Sequence, residues 1–378
     1  MAVSAVGWVE RFKLRLSAVL WFVLGVAFLL ALPVLLDVSW LVVLGIVAVA
    51  LVLTLPLALL VRRLFQGQRA QSFRASFAKS FAALTFALAA LLAAPIYYFA
   101  LLTDLRPLTV PQATLSNGTK TVVFQGMSHI GSEAFYKGVV YDLENALANG
   151  YVLYYEGVLG SPEGDAWFNQ KLAGGNDLNT SYQVFSDVCG LQFQLTYFGL
   201  LDADMKVHPD RHVKADVSTA DMMHEYERLM QVDPVFAAAE KDTQEASAPP
   251  ADGKPSDAEA GQGLTDVISF LKGSPGLSKL AGIVCRGFLT RTLNANTPPD
   301  QMDKVILDFR NRSLADRILG DKHQLIYITY GAGHLPGLLA DLQAADPTWK
   351  VESLKWMRTV SAPEELEGKL VLRGTAAQ

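Results

Sequence analysis

Three stretches of unbroken apolar sequence dominate the front of the chain. Leu16–Leu36, Trp40–Val61 and Phe81–Leu102 carry no charged residue. Each runs about 20 residues, the length a helix needs to cross the hydrocarbon of a bilayer. The pattern predicts three transmembrane helices, at about 16–36, 40–61 and 81–102. Pro33, Pro56 and Pro95 fall inside them, which membrane helices tolerate because neighbouring groups satisfy the freed carbonyls. A cleaved signal peptide does not fit. The second run follows the first after only Asp37-Val38-Ser39, with no small-residue cleavage site between them.

Beyond Leu102 the periodicity changes. Thr103–Asn117 contains Pro107 and Pro111 and reads as a spacer, and Asn117-Gly118 signals a turn. Thr121–Gln125 is predicted as a strand. A helix follows with Ser132 as its N-cap and Phe135, Val139, Leu143, Ala146 and Leu147 as its apolar stripe, and Asn149-Gly150 stops it. Tyr151–Tyr155 is the next strand. Asp216–Thr219 caps a helix reaching about Gln231. Pro298-Pro299 opens a long helix to Leu319, Gln324–Tyr330 is a strand, Pro336–Ala345 a helix and Trp349–Leu354 a last strand. Residues 238–263 are rich in Ala, Pro, Gly, Ser and charge and read as a disordered insertion; a helix resumes at Leu264–Phe270. Strand–helix–strand order argues for an α/β fold: two similar strand–helix halves forming a mostly parallel sheet, preceded by the three transmembrane helices. The organisation expected is a membrane domain at 1–103, a spacer at 104–118, the α/β domain at 119–361 and a tail at 362–378.

Charge sets the orientation. The 378 residues are 51% hydrophobic and 18% charged, with a net charge of −5 that conceals a basic front. Arg11, Lys13 and Arg15 precede the first apolar run; Arg62, Arg63, Arg69, Arg74 and Lys79 fill the segment between the second and third. Positive segments stay in the cytoplasm, so the N-terminus is expected there and the α/β domain on the periplasmic or extracellular side. No basic stripe marks that domain, which excludes nucleic acid as a partner. Cys189 and Cys285 both fall on the far side, where either a disulfide or two buried thiols is possible.

Candidate chemistry lies at strand ends. Gly126-Met127-Ser128-His129 and Gly331-Ala332-Gly333-His334 are two Gly-x-x-His turns, each after a strand and before a helical pattern. Glu156 ends a third strand. Ligands of open α/β sheets collect at the carboxyl ends of the strands. Two imidazoles and a carboxylate suit a catalytic divalent metal, with Glu156 either the third ligand or the base acting on water. Arg310 and Asn311 lie inside the long helix, either as a surface pair or with Arg310 reaching the site to clamp a carboxylate or steady an oxyanion. His208 and His212 read as exposed, His224-Glu225 as a solvated helix face, and His323 as a helix-end cap.

These motifs resemble the TraB/PrgY/GumN family, which includes the Tiki membrane proteases and is related to the erythromycin-esterase and ChaN-like proteins. The likeness rests on Gly126–His129, Tyr155-Glu156-Gly157, Arg310–Ala315 and Gly331–His334, in that order. It implies a divalent-metal hydrolase cleaving peptides outside the cell, manganese or cobalt being favoured and zinc possible. His129, His334 and Glu156 would hold the metal, Glu156 and Arg310 would be catalytic, and Gly126, Ser128, Asn311, Gly331 and Gly333 would support them. Gln194 and Asp216 are weaker candidates. The family pattern often has an acidic residue before Arg-Asn, where this chain has Phe309, and Tiki proteins resemble single-span anchors. Some relatives are binders or regulators, holding haem iron or dampening a peptide pheromone. The alternative expectation is therefore a non-catalytic binder of a peptide, metal or porphyrin.

Overall fold

The computed structural model describes residues 8–64, 72–172, 178–247, 273–294 and 300–362. By internal contact these divide into two units, residues 8–102 with 273–288, and 103–247 with 289–362.

In the first unit the three apolar runs are helical. Helix α1 spans Trp8–Leu29, breaks at Leu30 and continues as α2, Ala31–Leu36; α3 spans Leu41–Leu64 and α4 Phe73–Leu105. All three spans are long and apolar enough to cross a membrane. Leu29, Leu32, Val43, Ala89 and Ala93 are buried between them, while most other large apolar side chains face outward, the inverse of a water-soluble bundle. Thr54 is fully buried and returns its hydroxyl to the Ala50 carbonyl at 2.6 Å, which removes the cost of an unpaired polar group.

The second unit is built on a six-stranded sheet. Its strands are β1 (Thr109–Ser116), β2 (Thr121–Met127), β4 (Val152–Tyr155), β6 (His212–Lys214), β7 (Leu325–Gly331) and β8 (Lys350–Arg358), in the order β6-β4-β7-β2-β1-β8. β6, β4, β7 and β2 run parallel, and β1 is antiparallel to both β2 and β8. A short pair, β3 (Ile130–Gly131) with β5 (Gln192–Phe193), sits apart from the sheet order.

Helices cover both faces. Between β3 and β4 runs α5, Glu133–Ala148; it packs Phe135, Tyr136, Val139, Val140, Leu143, Ala146 and Leu147 onto one face, with Leu153, Tyr155 and Tyr327 of the sheet. Four short helices follow, α6 (Asp165–Lys171), α7 (Leu178–Cys189), α8 (Gln194–Phe198) and α9 (Asp202–Val207), then α10 (Thr219–Val232), α11 (Pro234–Ser247) and α12 (Pro275–Leu293). A π-helical turn, Lys304–Phe309, leads directly into α13, Arg310–Gly320; α14 is His334–Ala345. Leu314, Ala315 and Ile318 of α13 and Leu338 and Leu342 of α14 bury against Val122, Phe124, Val152, Tyr154, Ile326 and Ile328 on the other face. The continuous apolar runs of β2, β4 and β7 follow from this double coverage.

Several local expectations hold. Gly118 takes φ +88° and Asn117 Oδ1 accepts from the Thr119 and Lys120 amides, closing the β1–β2 turn. Gly150, at φ +83°, follows the end of α5. Ser218 and Asp221 cap α10 reciprocally, each side chain taking the other's backbone N–H.

Others need correcting. Thr109–Ser116 is no spacer but an inner strand, with Val110, Ala113 and Leu115 buried; the polar Gln112 and Thr114 between them, and Pro111, masked its period. Residues 238–247 of the expected insertion are the end of α11, a run of Ala, Glu and Lys with high helix propensity, and residues 248–263 lie outside the described chain, as do 264–270 and the tail from 363. Ser132 precedes α5 without a side-chain capping bond. The last strand extends to Arg358. Residues 273–288 pack with the first unit rather than with the α/β domain, Gly276 lying against Val38 and Gly287 against Phe99, where a Cβ would stand 2.2 Å and 2.6 Å from side-chain carbons. For Cys189 and Cys285 no expectation is corrected; of the two states left open, free thiols are ruled out.

Candidate functional site

The carboxyl ends of the parallel strands gather a charged cluster. Glu156 follows β4 immediately, Asp216 lies two residues past β6, His334 begins α14 just beyond β7, and Arg310 and Asn311 begin α13. All but Glu156 are buried, which is exceptional for Asp and Arg unless they are paired.

Arg310 pairs them. Its Nε donates to Asp216 Oδ1 at 2.9 Å, and its Nη2 donates to Asp216 Oδ2 at 2.6 Å and to Glu156 Oε1 at 2.7 Å. The guanidinium also lies 5.3 Å from the Tyr330 ring centroid. Backbone amides complete the carboxylates: Gly331 N–H donates to Glu156 Oε2 at 2.6 Å, Gly157 N–H to Asp216 Oδ2 at 3.0 Å and Val217 N–H to Asp216 Oδ1 at 2.9 Å. Burial alone would push the Asp216 carboxyl up, but the bonds and charge of Arg310 outweigh it and hold it below the ordinary carboxylate range. The same pair keeps Arg310 protonated despite its burial.

His334 is oriented from the other side. Its Nδ1 lies 2.8 Å from Asn311 Oδ1, which fixes the proton on Nδ1 and leaves the Nε2 lone pair free. Nε2 is 3.8 Å from Glu156 Oε1. The ring stands edge-on to Tyr330, with centroids 4.9 Å apart. Burial, reinforced by the Arg310 charge and only partly opposed by Glu156 and Asp216, lowers the His334 pKa to about 4. The imidazole is therefore neutral at physiological pH, the state a metal ligand or a proton acceptor requires.

The two Gly-x-x-His turns lie side by side. Met127 pairs with Gly331 in the β2–β7 register, and the Ala332 amide donates to the Met127 carbonyl at 3.2 Å. They are not equivalent. His334 starts a helix, whereas His129 is exposed and is followed by β3 before α5 begins. His129 stacks on Tyr182 at 4.5 Å between centroids, and its Nδ1 lies 3.1 Å from Gln194 Nε2. Packing lowers its pKa, while Glu156 raises it and Arg310 lowers it, so it shares the electrostatic field of the cluster.

The structure thus joins Glu156, Asp216, Arg310, Asn311 and His334 through direct contacts, and joins His129 to Gln194. Gly126 is required where β2 runs beside the start of its antiparallel neighbour β1, since a Cβ there would approach the Pro111 carbonyl oxygen to 2.8 Å. Ser128 turns its hydroxyl to the Ile130 carbonyl at 2.8 Å. Gly331 serves through its amide, and Gly333 is the residue before α14. Arg310 and Asn311 are not a surface pair. Two readings of other residues hold for His208 and His224, which are exposed, and are overturned for His212 and Glu225. The His212 side chain is 1% exposed, clamped between Tyr155 and Asp204, and Glu225 is buried and paired with Arg228 and Arg312. Sequence reasoning missed Tyr182, whose hydroxyl feels Glu156, and Tyr330, which packs on both Arg310 and His334; only its place before Gly331 hinted at the latter.

The donor chemistry fits a divalent cation in part. The free Nε2 of His334 and Glu156 Oε1 converge, Asn311 supplies the outer hydrogen bond that metal-bound imidazoles carry, and two carboxylates against one guanidinium leave a formal charge of about −1 for a cation to offset. Among the described residues no group of three or more His, Cys, Asp or Glu side chains is gathered to hold a metal ion. No protein-family model, curated protein or solved structure matches the chain.

Proposed function

We propose that the chain is a membrane-anchored, extracytoplasmic hydrolase acting on peptides, dependent on a divalent metal held by His334 and Glu156 with His129 as third ligand. The observation that carries this is His334: a buried, neutral imidazole, its Nδ1 fixed by Asn311 and its Nε2 facing Glu156. A divalent metal bound there supplies Lewis acidity, with manganese or cobalt favoured by the resemblance to the TraB/PrgY/GumN family and zinc also compatible with the ligand types. For His129 to offer Nε2, Gln194 must present its amide oxygen to Nδ1, an exchange of the two amide ends. Glu156 holds the ion or takes a proton from the attacking water. Arg310 fixes the Glu156 carboxylate and Asp216 fixes Arg310, so Arg310 acts through Glu156 rather than on an oxyanion while both bonds persist. The parallel pairing of β2 with β7, each ending in a Gly-x-x-His turn, supports two related halves as the source of the site although β3 intervenes after His129, and the arginines and lysines flanking the first and third spans support a cytoplasmic N-terminus.

Full-length protein in nanodiscs tests this with a quenched fluorescent peptide library and manganese, cobalt or zinc supplied in turn. Metal-dependent cleavage is expected, abolished in His334→Ala with folding retained. Glu156→Gln separates the roles, losing metal if Glu156 is a ligand and only turnover if it is the base. Wild-type cleavage by His334→Ala would reject the proposal. The full engagement of Arg310 with Asp216 and Glu156 favours a second reading, a non-catalytic binder of a peptide, metal or porphyrin. Metal retention without cleavage of any library member would select it.

A further inference from the structure

The first unit contains a cleft of about 390 Å³ between α1 and α4. Each helix lines it at i, i+3, i+4 and i+7 positions, so one face of each turns toward the other. Ser17 and Ala18 on α1 and Ala82 and Ala83 on α4 create the hollow by their small size. Trp21 and Phe86 close its far end edge-to-face, with ring centroids 5.0 Å apart. Lys79, half-buried, is the one charged residue among the lining side chains and stands two helical turns from Phe86, a depth of about 10 Å. Trp21 is 47% exposed and Phe86 36%, so the cleft opens on the outer surface of the helices. Arg11, Lys13 and Arg15, all exposed, lie on α1 around Leu14, which lines the mouth.

We propose that this cleft holds one acyl chain of an anionic phospholipid, with the lipid phosphate on Lys79. Two observations commit the occupant. A hollow walled by apolar side chains on helices long enough to cross a bilayer is filled by hydrocarbon, because neither water nor empty space is stable against it. A cation at the mouth, with three more on the adjoining turns, complements a phosphate held at the headgroup level and disfavours a zwitterion. The inference does not depend on the hydrolase reading, since no residue of the strand-end cluster takes part.

Full-length protein in mild detergent, after exposure to equimolar phosphatidylglycerol and phosphatidylcholine, is examined by native mass spectrometry. One retained phosphatidylglycerol per chain is expected. Lys79→Gln should reduce its preference over phosphatidylcholine by about fivefold, and Lys79→Arg should restore it. Ala83→Phe, which fills the hollow, should release the lipid with elution profile and helix content unchanged. Equal retention of the two lipids by wild type, undiminished retention by Ala83→Phe, or a lipid-free dimer would each overturn the proposal.

Discussion

Arg310→Met removes the guanidinium while keeping much of the side-chain length. Three charge-assisted hydrogen bonds go with it, two to Asp216 and one to Glu156. The Asp216 side chain is 0% exposed, so its charge would be left without a cation in a low-dielectric setting. Breaking a buried pair in this way costs about 3–5 kcal/mol. For a domain of this size that lowers the melting temperature by roughly 6–20 °C. The effect should depend on pH in a specified direction. In the wild type Asp216 is held below its unfolded pKa, so its contribution is present above that value and is lost as pH falls through the folded one. Without Arg310, burial dominates and the folded pKa rises above the unfolded one; the variant then loses stability as pH climbs from the ordinary carboxylate value, about 4, toward neutrality. The penalty should shrink in acid and be full at neutral pH. Arg310→Met/Asp216→Asn should recover about 1–2 kcal/mol relative to additivity, because the stranded charge is gone. Full-length protein in nanodiscs, melted by near-UV circular dichroism at pH 4.5 and 7, reads all of these. A variant melting within about 1 °C of wild type at pH 7, or a pH trend of the opposite sign, would refute the reasoning.

Three more expectations rest on the same packing. His334, with its pKa lowered to about 4, destabilises metal-stripped protein as pH falls from about 6.5 to 4, since the unfolded chain takes a proton the folded one refuses; the loss reaches about 3 kcal/mol, and chelator-treated His334→Gln should lack it in denaturant titrations. Gly337→Ala would put a Cβ 2.2 Å from Asn311 Nδ2, so Asn311 must leave His334; the His334 pKa by NMR should move, whereas Gly320→Ala, facing open space, should leave it in place. Ser218→Ala removes the reciprocal cap of α10 and should cost about 1 kcal/mol in chemical denaturation, with the strand-end cluster untouched.

The parts of this fold that could be read from sequence are those where one signal is strong and local. The apolar runs, the strands β2, β4 and β7 with their double burial, and the Gly-x-x-His turns each announce themselves within a dozen residues. His334, Glu156, Arg310 and Asn311 are legible because they adjoin such elements. Asp216 is faint because β6 is only three residues long and offers no period, and Tyr182 is invisible because its contact with His129 joins α7 to a distant turn. β1 hides its strand character because two prolines flank and interrupt an otherwise alternating segment. The end of α11 hides its order because that order comes from partners elsewhere, Phe236 packing beneath Tyr226 and Glu240 accepting from the Tyr226 hydroxyl at 3.1 Å, none of which its composition reveals.

The turn at Lys304–Phe309 sets the angular phase of α13. A π-turn holds one residue more than an α-turn, and one residue is about 100° of azimuth. With it, Val305 points into its own apolar cluster while Arg310 points at Asp216. Deleting a single residue there would regularise the spiral, and the two side chains could no longer both be correctly aimed. Selection on either end would therefore preserve this small irregularity of winding.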